Sequence, residues 1–158
     1  MPIPPYILAL RAKVGNDLLF MPGVRAIVVN DRGQVLLNRR SDNGEWSAIE
    51  GVLEPGEEPG QAIVREVKEE TGVDVVVERL VGVTLTPIVE YANGDRTQYL
   101  SICFRCRPVG NATPRVNDDE SFEVAYMNPD QLPPVRPDVL RSIRYALSGR
   151  VEADFVME

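Results

Sequence analysis

The sequence predicts an α/β protein in which a mixed sheet is covered on both faces by helices. Three observations carry this reading. Runs rich in β-branched residues, such as Val24 to Asn30 and Asp74 to Thr86, alternate with segments whose apolar residues recur at helical spacing. Asp31-Arg32-Gly33 and Asn93-Gly94 are strong turn signals between extended runs. The 158 residues, 44% hydrophobic and 26% charged, are enough for one domain with a sizeable core. No linker or internal repeat divides residues 1–158.

The elements follow in order. Residues 1–23 read as an N-terminal helical extension. Pro4-Pro5 opens it, and Ile7, Leu10 and Val14 recur at helical steps, which suits packing or, as a second reading, a homodimer contact. Val24 to Asn30 reads as a strand, with Gln34 to Arg40 as its hairpin partner across the Asp31-Arg32-Gly33 turn. Ser41 to Glu45 is a polar loop, and Trp46 to Leu53 a short extended run. A helix follows, started by Pro59, whose missing N–H would be unpaired there in any case, and stopped by Gly72. Asp74 to Thr86 reads as a strand bent at Gly82, and Thr97 to Arg107 as the strand returning after Asn93-Gly94. After a loop from Pro108 to Asn117, Phe122 to Met127 reads as a last strand. Val139, Leu140, Ile143, Ala146 and Leu147 mark a C-terminal helix over 136–149.

Composition narrows the function. A net charge of −7 argues against a partner such as long nucleic acid, which needs a basic stripe. It leaves small anionic substrates open, because bound cations reverse a local field. The absence of histidine excludes histidine-dependent triads and the common histidine-bearing zinc sites. Cys103 and Cys106 lie three apart on an apparent strand and so point to opposite faces. Cys106 shares its face with Leu100, Ile102 and Phe104, and reduced core cysteines fit better than a redox pair. No apolar run reaches transmembrane length and the N-terminus lacks a signal-peptide core, so the sequence predicts a cytoplasmic protein with no membrane partner.

Chemistry concentrates between Gly51 and Val73. On the 59–71 helix, Ile63, Val64 and Val67 share one face, while Glu66, Glu69 and Glu70 form an adjacent stripe at three- and four-residue steps. Three neighbouring carboxylates repel unless a cation sits among them, and a hard ion bound by oxygens, Mg²⁺ or Mn²⁺, is the natural partner. Arg65, four residues before Glu69, would steady a glutamate. The bland reading is a solvated acidic face, which is what most charge runs are.

The spacing discriminates between them. Gly51, Glu57, Arg65-Glu66, aliphatic Val67, Glu69-Glu70, Gly72 and aliphatic Val73 resemble the signature box of the Nudix hydrolases at every fixed position across 23 residues. Val35 to Arg40 and Trp46 resemble the family's approach to the box. Ile49-Glu50 depart from it, standing where the family often has Pro-Gly; Glu50 could add a carboxylate near the metals.

The resemblance implies a Nudix-type α/β/α sandwich and hydrolysis of a nucleoside diphosphate linked to a moiety X, such as a nucleoside triphosphate or ADP-ribose. It implies Glu66, Glu69, Glu70 and the Gly51 carbonyl as metal ligands. Glu57 is assigned to the loop–helix junction. The base varies among relatives, with Glu69 and then Glu120 as candidates. Glu120 belongs to the acidic run Asp118-Asp119-Glu120, where relatives often supply a further ligand. Arg39, Arg40 and Arg25 are candidates for phosphate contact, and each equally suits a structural ion pair. Trp46, Tyr91 and Tyr99 could stack on a base or simply pack. Pro87 and Tyr91 resemble family markers for different substrates, ADP-ribose and dinucleoside polyphosphates, so they do not select X. Two classes stand: a metal-dependent pyrophosphohydrolase, and a catalytically silent Nudix-like ligand sensor or protein-binding module. The intact Glu66, Glu69 and Glu70 favour the enzyme.

Overall fold

A computed structural model describes residues 3–157, so Met1, Pro2 and Glu158 of the expected 1–158 domain and 1–23 extension lie outside the described residues. The order is α1 (Pro5–Val14), β1 (Leu19–Val28), β2 (Val35–Arg40), β3 (Trp46–Ser47), β4 (Ile49–Val52), α2 (Pro59–Thr71), β5 (Asp74–Leu85), β6 (Val89–Glu90), β7 (Arg96–Val109), β8 (Ser121–Met127), a 3₁₀ turn (Pro129–Gln131) and α3 (Pro137–Leu147). The larger sheet runs β4-β1-β7-β5, with β6 also on β7, and a smaller one runs β3-β2-β8. β1 pairs with β7 in parallel and the other pairings are antiparallel, so the larger sheet is mixed, as expected.

The period-two alternation of β1 builds the layers. Val24, Ala26 and Val28 join Ala62, Ile63 and Val67 of α2 in one core cluster. Ile27 and Val29 join Val139, Ile143 and Ala146 of α3 in the other. A strand buried on both faces reads as a continuous apolar run, which is why Val24 to Val29 shows so little alternation. Cys106 belongs to the α2 cluster and Cys103 to the α3 cluster, so the two free, buried thiols do face opposite ways.

Three expectations need correction. The first strand starts at Leu19, five residues early, because Leu19–Pro22 pair with Thr97–Leu100. Next, β1 and β2 are not a ladder. The turn forms, but only Val29 and Val35 bridge across it, since both edges of β1 are already occupied by β4 and β7 and β2 passes into the smaller sheet.

Finally, α1 buries no residue. Its apolar residues from Ile7 to Leu10 run around the helix rather than along one stripe, so Ile7 is half-buried while Leu8 and Leu10 stay exposed. Polar bonds hold it instead: the Tyr6 hydroxyl donates to the Leu53 carbonyl at 2.9 Å and Arg11 Nη2 to the Arg96 carbonyl at 2.7 Å.

The bend at Gly82 is real: the β5–β7 register shifts there, and Asp154 of the C-terminal tail bridges to Gly82. Among the described residues no helix is long and apolar enough to cross a membrane.

Candidate active site

α2 is fixed at both ends. Pro59 occupies its first turn, and Gly72, in the left-handed conformation at φ 70°, closes it by donating its N–H to the Lys68 carbonyl at 2.9 Å. The last carbonyls of a helix need donors from elsewhere. The loop before β8 supplies them. The Arg115 N–H donates to the Thr71 carbonyl, the Asn117 N–H to that of Glu70, and Asn117 Nδ2 to those of Lys68 (3.2 Å) and Glu69 (3.0 Å). This capping brings Asp118-Asp119-Glu120 against the acidic stripe. Asp118 then accepts the Glu120 N–H through Oδ1, an Asx-type turn, while its Oδ2 is buried without a hydrogen-bond partner.

Glu70 is the most enclosed carboxylate of the stripe at 1% exposure, Glu66 follows at 3%, and the Glu69 side chain stands at the rim, 39% exposed. Arg65 lies among them. It grips Glu57 with two bonds of 2.8 and 2.9 Å, and its Nη1 donates to Glu66 Oε1 at 2.8 Å and Glu69 Oε2 at 3.1 Å. Glu57 therefore anchors the loop–helix junction through Arg65.

The carboxylates carry the cost of their burial. Glu66 is pushed up to about 7, first by desolvation and then, against the pull of Arg65, by Glu69 and Glu120. Glu70 is raised well above the ordinary range by desolvation, then by Glu66, Glu120 and Asp118, with Arg40 opposing. Glu66, Glu69, Glu70 and Glu120 thus share one electrostatic neighbourhood, with Asp118 as a fifth member.

Divalent-ion chemistry fits this donor set. Gly51 sits on β4 directly beneath Glu66, and any Cβ there would collide with the Glu66 carboxyl group. A glycine is required for that close approach, which leaves the strand backbone bare beside a buried carboxylate. The surrounding donors are hard oxygens. Among the described residues no three acidic side chains converge closely enough to hold an ion as they stand, because Arg65 lies between Glu66 and Glu69.

The other candidates separate. Arg40 borders the acidic group, acting on Glu70 and Tyr99, with its guanidinium steadied by Asp42 at 2.7 and 3.0 Å. Arg39 is exposed and donates to the Gly44 carbonyl at 3.1 Å. The Tyr91 and Tyr99 hydroxyls lie 2.9 Å apart, and the Tyr99 ring approaches Gly23. Trp46 packs against the α3 cluster.

Arg25 is corrected as a phosphate contact. It is fully buried on the α3 side, and its nitrogens donate to Glu50 (2.7 Å), Asp138 (2.5 Å) and Ser142 (3.0 Å). Burial alone would lower its pKa, but Glu50 and Asp138 more than offset this and hold it raised. Glu50 is likewise not an extra carboxylate beside α2, since Arg25 and Arg136 both bind it. Sequence reasoning missed Arg136, Asn117 and Asn38. Only Asn38 left a signal, as an amide directly after the apolar run Val35-Leu36-Leu37.

A fold with two helices on opposite sheet faces, and an acidic helix edge against a bare glycine strand, defines a class before any particular protein. A NUDIX-domain family model matches residues 19–146, and the chain belongs to that family. It is similar to a MutT-like protein of Streptomyces ambofaciens, 38% identical over 109 residues that cover 69% of this chain and 64% of that protein. It is also similar to an RNA pyrophosphohydrolase of Marinomonas, 37% identical over 65 residues covering 41% and 40%. A NUDIX hydrolase structure from Nitrosomonas europaea superposes with a TM-score of 0.68 at 26% identity, covering 85% of this chain and 93% of that one. The chain thus spans less than two thirds of the length of these two curated relatives.

Proposed function

We propose that this chain hydrolyses the pyrophosphate bond of a small nucleotide, a nucleoside diphosphate linked to X, with Mg²⁺ or Mn²⁺ held by Glu66, Glu69, Glu70 and the Gly51 carbonyl. One observation carries the reading. Glu66 and Glu70 are both withdrawn from solvent, and among the described residues Glu70 has no cation at salt-bridge distance. Buried carboxylates so placed either take up protons or gain a cation. When bound, the ion supplies charge neutralisation for the diphosphate and acidifies water.

The chain's own residues do the rest. Arg65 fixes Glu66 and Glu69 relative to one another. Arg40 offers a guanidinium at the border of the acidic group, suited to a phosphate oxygen. Glu69, at the rim, and then Glu120 are the candidates to accept a proton from water. The names of the relatives, among them an RNA pyrophosphohydrolase, support pyrophosphate chemistry and leave X open.

A screen of nucleoside triphosphates, ADP-ribose and dinucleoside polyphosphates with Mg²⁺ or Mn²⁺ tests the proposal. Turnover that vanishes in EDTA and returns with metal supports it. Tight nucleotide binding without turnover of any compound establishes the silent-sensor reading instead.

A further inference from the structure

Asn38 has no role in the reading above, yet it sits in an unusual place. It follows Val35, Leu36 and Leu37 on β2, all fully buried, and is itself only 2% exposed. Its Nδ2 donates to Glu70 Oε2 at 2.6 Å and to Ser121 Oγ at 3.2 Å, while its Oδ1 is buried with no hydrogen-bond partner. Buried polar atoms are normally satisfied. An aliphatic residue would continue the strand without an orphan acceptor, so packing does not account for an amide here.

The partner does account for it. Glu66 and Glu69 are held by Arg65, but among the described residues no guanidinium or ammonium lies within salt-bridge distance of Glu70. A lysine or arginine in place of Asn38 would neutralise Glu70 and compete with an incoming cation. A neutral amide donates to the carboxyl group without adding positive charge, and the bond becomes charge-assisted once a bound cation draws Glu70 into its ionised form.

We propose that Asn38 is a positioning residue of the metal site: its Nδ2 fixes Glu70 through Oε2 and leaves Oε1 as the oxygen available to a divalent ion. Ser121, at the start of β8, steadies the amide from the other side. The proposal rests on Glu70 being a metal ligand.

The test is Mn²⁺ affinity, measured by electron paramagnetic resonance of free Mn²⁺ on the full chain without substrate, for wild type, N38L, E70Q and the double variant. Loss of outer support to a ligand typically weakens metal binding about 10–100-fold, and N38L is expected in that range. In the E70Q background N38L should add less than about threefold, because the residue it acts through is already altered. N38T, which keeps a shorter donor, should fall between wild type and N38L, and it carries the comparison if N38L does not fold.

If E70Q weakens Mn²⁺ binding but neither N38L nor N38T does, the positioning role is overturned and the metal site stands. An undiminished effect of N38L in the E70Q background also overturns the role, since Asn38 would then act elsewhere. If E70Q binds Mn²⁺ like wild type, the metal-site reading falls and the positioning role with it.

Discussion

Replacing Glu70 with glutamine should stabilise the metal-free protein while disabling the site. The magnitude follows from the burial. Glu66, 3% exposed, is displaced from near 4.5 to about 7; a displacement of that size corresponds to about 3 kcal/mol of destabilisation when the group is ionised. Glu70 is more enclosed and faces Glu66, Glu120 and Asp118, so its charge is no better tolerated.

Glutamine keeps the acceptor for Asn38 Nδ2. Relief of roughly 2–3 kcal/mol should raise the melting temperature in EDTA at pH 8 by about 4–12 °C for a chain of this size. The sign of the pH dependence is set by the raised folded-state pKa. The folded protein holds the protons of Glu66 and Glu70 more tightly than the unfolded chain, so wild-type stability in chelator falls as pH rises above the ordinary carboxylate range, for Glu66 through about 7.

E70Q should lose the share of that slope that comes from Glu70 and keep the share that comes from Glu66. Saturating Mg²⁺ should raise the wild-type melting temperature by mass action and that of E70Q far less, and turnover should drop about 100-fold or more. A metal-free E70Q that melts below wild type at pH 8, or one that gains as much from Mg²⁺, refutes the reasoning.

Three further outcomes are expected. Arg25→Met removes one of two guanidinium groups from Glu50 and Asp138, and should cost about 3–5 kcal/mol in urea unfolding, as breaking a buried pair does; a cost under about 1 kcal/mol would show that this cluster does not hold the sheet to α3. Cys103→Ser should leave turnover within about twofold, and native-state thiol labelling of both cysteines should be slow, because burial raises Cys103 to about 11 and Cys106 to about 12. Gly82→Ala places a methyl 2.6 Å from the Asp154 carbonyl and should release the C-terminal tail to proteases while costing about 1–3 kcal/mol; unchanged protection of the tail would count against the bridge seen at Gly82.

What the sequence made legible is local. Pro59 and Gly72 bounded α2 because both act within one turn of their own position. The order of enclosure, Glu70 before Glu69, followed from helical spacing against the Ile63–Val67 face. The opposite directions of Cys103 and Cys106 followed from strand alternation. The illegible parts all depend on partners far along the chain. The hairpin expected between β1 and β2 fails because β4 and β7 occupy the edges of β1, which no property of residues 24–40 announces. Arg25 resembled a phosphate ligand until Asp138, 113 positions away, took its Nη2. Glu50 resembled an extra metal carboxylate until Arg25 and Arg136 closed on it from the α3 side.

The same distinction explains how the acidic group is completed. Glu66, Glu69 and Glu70 arrive together because one helix carries them, but Asp118 and Glu120 come from a loop with no secondary structure of its own. That loop is placed by the unfilled hydrogen-bonding capacity of the α2 C-terminus together with Ser41, whose N–H and hydroxyl donate to the Glu120 and Asp119 carbonyls at 2.8 and 2.7 Å. Asn117 Nδ2 reaches back to the Lys68 carbonyl across 49 residues, and its backbone N–H takes that of Glu70. Repulsion between Asp118, Glu120 and the α2 carboxylates opposes this docking, while the capping bonds favour it. The metal-free site is therefore held together against its own charge, and a divalent ion would remove the opposition and leave the capping bonds in place. Ion binding should accordingly tighten the 115–120 loop as well as the carboxylates.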